Sequence, residues 1–69
     1  MTTLHLLMDL RERRKAARIP QHAVADAMKA RGHRWTTNLV SLKETGKRGT
    51  WLHEYVDWLD VLDQLVKAR

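Results

Sequence analysis

The chain has 69 residues, 13 Lys and Arg against 8 Asp and Glu, a formal net charge of +5 and a pI near 10.3. That length supports one small domain and no deep cleft between two, and such a chain buries only about 60% of the surface its unfolded form exposes. The absence of cysteine excludes a disulfide framework, a thiolate zinc site and a cysteine nucleophile.

No apolar run is long enough to span a membrane. The first residues lack the pattern of a signal peptide, so a cytoplasmic chain is expected. Charge is unevenly placed. Residues 1–48 hold eleven of the basic residues and four of the acids, which leaves residues 49–69 net negative. A basic body with an acidic end points to a polyanion-facing surface and a second face turned away from it.

The periodicity predicts helices throughout, with one proline and three glycines as punctuation. A first helix is expected after a cap at Thr2 or Thr3, running to about Ala17. Leu4, Leu6, Leu7 and Leu10 would form its inward face, and Arg11, Arg14, Lys15 and Arg18 its basic face. Pro20 suits the first turn of a second helix ending near Ala30, with Val24, Ala27 and Met28 inward and Gly32 as its stop. Thr36 is expected to cap a third helix reaching about Thr45, with Trp35, Leu39 and Leu42 inward and Gly46 as terminator. A fourth helix is expected from Trp51 to about Val66, capped by Thr50. It shows two adjacent apolar stripes: Tyr55, Leu59, Leu62 and Val66, then Trp51, Trp58 and Leu65. Glu54, Asp57, Asp60 and Asp63 recur every three residues and read as its solvated face. The fold class expected is all-α, a compact bundle of four to five helices.

The second and third helices are short and joined by a turn containing Gly32, the outline of a helix-turn-helix over about 20–45. Leu10-Arg11-x-x-Arg14, Ile19-Pro20-Gln21, Val24-Ala25, Met28, Trp35-Thr36, Val40, Glu44 and Gly46-Lys47-Arg48 stand in an order that resembles the Cro and lambda-type repressor family. The long turn 27–35 is similar to that of actinobacterial and actinobacteriophage members. Arg18, where that family often has glycine, and Lys43, where it usually has a buried aliphatic residue, are departures.

The resemblance implies a transcriptional repressor that binds duplex DNA as a homodimer on a pseudo-palindrome, its third helix in the major groove. It places Thr36, Thr37, Asn38 and Ser41 against bases. Asn pairs with adenine at two edges, and Ser and Thr hydroxyls bond several bases. It places Gln21 on a phosphate and as a brace for the third helix, and Lys47 and Arg48 on phosphates; Arg34 and Lys43, beside the same surface, are further expected phosphate contacts. Trp51, Trp58 and Leu65 on the fourth helix are the expected dimer interface. Arg14 is expected to pair internally with Glu44 rather than to touch DNA.

Other chemistry finds little footing. The four histidines lack i, i+4 spacing, so no metal site or cofactor is expected. The one serine, Ser41, has no ordered His and Asp partners, so no enzyme is expected. No small-molecule ligand is expected either. Two further readings keep the fold and change the role: an antitoxin whose C-terminal helix binds a toxin, or an architectural or excision-type DNA binder with little base specificity.

Overall fold

The computed structural model describes the backbone of residues 3–68 and the side chains of residues 7–68. Four helices follow in order: α1 (Thr3–Ala16), α2 (Gln21–Ala30), α3 (Thr37–Glu44) and α4 (Leu52–Lys67). No strand occurs among the described residues, so the expected all-α bundle is present with four helices. The expected cap at Thr2 lies outside the described residues, as do the side chains of Thr3, Leu4 and Leu6.

α2 packs on α3 and α4, and α1 closes over the same two helices. Leu7 and Leu10 of α1, Val24, Ala25 and Met28 of α2, Val40 of α3, and Trp58, Val61 and Leu62 of α4 are buried together with Ile19 and Trp35 from the links. The Trp35 and Trp58 rings meet edge to face, centroids 5.1 Å apart, a geometry favoured by the ring quadrupoles. Two indoles in so small a core supply much of its buried apolar area.

The first three helices stop in the same way. Ile19 N–H donates to Arg14 C=O at 3.0 Å and Arg18 N–H to Lys15 C=O at 3.0 Å. The equivalent pairs after α2 are His33 to Met28 and Gly32 to Lys29, and after α3 Lys47 to Leu42 and Gly46 to Lys43. This is the Schellman arrangement, whose penultimate residue takes a left-handed backbone. Gly32 and Gly46 supply it at φ 94° and 78°. After α1 the position is Arg18, at φ 59°, where an L side chain crowds its own carbonyl.

Three helix starts and faces differ from expectation. Pro20 is the N-cap of α2, in extended conformation, rather than its first helical residue. α4 starts one residue later than expected, at Leu52, and Trp51 rather than Thr50 is its N-cap. Glu54 reaches back to accept the Trp51 N–H at 3.0 Å, which does the work assigned to Thr50. The Thr50 Oγ1 is buried without a hydrogen-bond partner among the described residues. In α3 the buried side chains are Val40, Lys43 and Glu44, while Leu39 and Leu42 are only half-buried. Trp35 reaches the core from the preceding link, so the helix does not need Leu39 and Leu42 to seal it.

Candidate nucleic-acid interface

α3 is the shortest of the four helices, at 8 residues. An isolated helix of that length is unstable in water, so its placement depends on what grips it. Its start is capped by Thr36, whose Oγ1 accepts the Leu39 N–H at 3.1 Å. Four carboxylates, forming three grips, do the rest.

Glu44 holds the C-terminal end. Its side chain is 1% exposed and accepts Arg14 Nε at 2.7 Å and Nη2 at 3.0 Å, a two-pronged ion pair. Gln21 Nε2 donates to the same carboxylate at 3.2 Å. Arg14 also donates through Nη1 to the Ile19 C=O at 2.8 Å. One acid thereby fixes α1, the α1–α2 turn, the start of α2 and the end of α3. The pairing expected between Arg14 and Glu44 is present. Gln21, expected to brace the third helix as well as to contact a phosphate, makes that brace.

Glu54 holds the opposite side. It accepts the Trp51 N–H, the Trp35 indole N–H at 3.3 Å and the Lys43 ammonium at 3.4 Å. Partial burial pushes this carboxyl up, but the three donors outweigh it and pull the group below its ordinary value. Lys43 also donates to the Gly49 C=O at 2.6 Å and lies 5.2 Å from the centre of the Trp35 ring. Lys43 is 5% exposed, which removes it from the expected phosphate contacts. Its long apolar stem fills the core position that an aliphatic residue would take, and its head bridges to the next loop.

Asp57 and Asp60 hold the link before α3. His33 Nε2 lies 2.7 Å from Asp57 Oδ2, and Arg31 bonds both Asp57 and Asp60. The His33 hydrogen bond draws the Asp57 carboxyl down, with help from Arg31, and Asp60 raises the Arg31 guanidinium. The acids spaced along α4 are therefore not simply its solvated face; three of the four are tethers. Nothing in their sequence spacing distinguishes Asp57 and Asp60 from the exposed Asp63, because their partners lie 24 to 29 residues away.

These grips leave one side of α3 outward. Thr36, Thr37 and Asn38 are exposed and Ser41 is half-buried on the same stretch. Arg34 before the helix and Lys47 and Arg48 after it are exposed, and none makes an ion pair among the described residues. Short hydroxyls and an amide thus stand between free cations.

The expected dimer trio separates. Trp58 is 1% exposed inside the chain's own core, and Leu65 packs partly buried against that core. Trp58 is closed to a partner, while Leu65 keeps a partly exposed edge. The reason is the position of α4's buried arc, which falls between the two stripes of its sequence and takes residues from both. Trp51 alone of the three is exposed, at 71%.

Among the described residues no group of side chains with metal-binding potential occurs, and no helix is long and apolar enough to cross a membrane. No protein-family model, curated protein or solved structure matches this chain.

Proposed function

We propose that the protein is a sequence-specific double-stranded DNA-binding regulator, a small Cro-like repressor acting by occupying an operator in a bacterial cytoplasm. The observation that carries this reading is the side of α3 left free by its three carboxylate grips. A short helix is held by buried ion pairs, and its outward edge bears Thr37, Asn38 and Ser41 between the cations Arg34, Lys47 and Arg48, which make no ion pair among the described residues. Base edges in the major groove match short hydroxyl and amide side chains, and the flanking phosphates match the cations. In this reading α2 and α3 form a helix-turn-helix, and Glu44 and Glu54 act as positioning residues that set the angle of α3.

The partner on DNA is a second copy of the chain. Leu52, Val56, Leu59 and Val66 fall on one side of α4 at i, i+4, i+7 and i+14. Leu52 is 77% exposed, Val56 56% and Val66 43%. This side, rather than the buried Trp58, supplies the apolar surface for pairing two molecules.

Selection from a randomised duplex pool tests the reading. The expected product is a pseudo-palindrome with half-sites about one helical turn, ~34 Å, apart. Retention without a motif would replace it with the architectural reading. No retention at physiological salt would remove DNA as the partner and leave the antitoxin reading.

A further inference from the structure

An open depression of about 420 Å³ lies between the two loops that flank α3. Arg34 lines it from the α2–α3 link, Arg48 and Gly49 from the α3–α4 loop, and Trp51 from the cap of α4. Lys43 and Glu54 lie beneath, already bonded to each other and to the surrounding backbone. The three tryptophans differ sharply: Trp35 is 2% and Trp58 1% exposed, but Trp51 is 71% exposed. Trp51 is nevertheless anchored, its N–H held by Glu54 and its C=O accepting the Tyr55 N–H at 2.9 Å. A Cβ added at Gly49 would meet nothing within 4 Å, so the depression is open at this loop.

An exposed indole and two arginines that line one depression offer an apolar face together with two positive charges. A nucleic-acid strand presents the complement: phosphate, deoxyribose, phosphate. Two arginines at one site favour a polyanion as its occupant, and pairing with a second copy is assigned to the Leu52 and Val56 side of α4. We infer that this depression seats the sugar-phosphate backbone of one DNA strand, with Arg34 and Arg48 on phosphates and the Trp51 indole packed on the deoxyribose between them. The inference rests on the DNA-binding reading above and adds to it a sequence-independent apolar contact at Trp51.

Tryptophan fluorescence addresses this residue alone, since a neutral quencher such as acrylamide reaches Trp51 and not the two buried indoles. Wild-type protein should lose its acrylamide-accessible emission on saturation with duplex DNA. Trp51→Phe should show almost no accessible emission with or without DNA, which assigns the signal. Trp51→Ala, whose fold is checked by its thermal melt, should bind about tenfold more weakly to selected and random duplexes alike. Its salt slope should be unchanged because no charge is lost. DNA binding that leaves Trp51 fully quenchable overturns the inference and leaves the DNA-binding reading standing. Protection that develops with protein concentration in the absence of DNA overturns it in favour of a second copy. Failure of the wild-type protein to bind duplex overturns both.

Discussion

Arg18 is the one non-glycine residue with positive φ among those described, and it occupies the same Schellman position that Gly32 and Gly46 occupy elsewhere. A left-handed arginine costs about 1–2 kcal/mol, part of which glycine returns through its freer unfolded chain. Arg18→Gly is therefore expected to stabilise the protein by about 1 kcal/mol and raise its Tm by about 4 °C in a thermal melt. A lower Tm would show that the Arg18 side chain contributes more than its backbone costs. Across the surface, Asn38 and Lys47 separate two kinds of contact. Asn38→Ala should cost about 1–3 kcal/mol on the selected sequence and little on random duplex. Lys47→Ala should weaken both equally and reduce the salt slope by about one unit. Titrations at several salt concentrations distinguish them, and identical behaviour of the two variants would refute the groove assignment.

At the scale of elements, the helices are joined by carboxylates as much as by the core. Glu44 ties α1, α2 and α3, Glu54 ties α3 to the cap of α4, and Asp57 with Asp60 ties the α2–α3 link to α4. Glu54 and Asp57 both lie below their ordinary values of 4.5 and 3.8. A carboxyl depressed on folding stabilises the protein fully above its unfolded value and loses that contribution as pH falls through the folded one. The Tm should therefore hold from neutrality down to about pH 4.5 and decline on further acidification. Glu54→Gln should melt lower than wild type at neutral pH and lose less on acidification. Parallel melting curves for the two proteins across the acid range would exclude Glu54 as a contributor.

The whole molecule measures 31 × 25 × 19 Å, about the length of one turn of duplex. One copy can therefore cover one half-site, and two are needed for a pseudo-palindrome. Leu52→Lys combined with Val56→Lys should convert a two-per-site complex to independent single binding, read by sedimentation of protein with duplex. Both residues are more than half exposed, so the fold should survive the change. Two copies persisting on the site would show that pairing uses another face. Because the basic residues concentrate before residue 49 and the acids of α4 are partly consumed as tethers, affinity for duplex should also fall steeply with salt.

The sequence by itself determined the all-α class, the approximate extent of four helices, the Thr36 cap and the inward pairing of Arg14 with Glu44. Each follows from local information: helical periodicity, terminating glycines, capping residues, and a long arginine stem facing the core. The tertiary structure decided which arc of α3 and α4 turns inward. It moved Lys43 and Trp58 from expected contact surfaces into the interior, set Trp51 in the open, and made tethers of Asp57, Asp60 and Glu54. Burial of a residue on a two-striped helix depends on the neighbours that close over it. For Glu54, Asp57 and Asp60 the tethering donors lie 11 to 29 residues away and meet the carboxylate only once the helices pack, which no local pattern encodes.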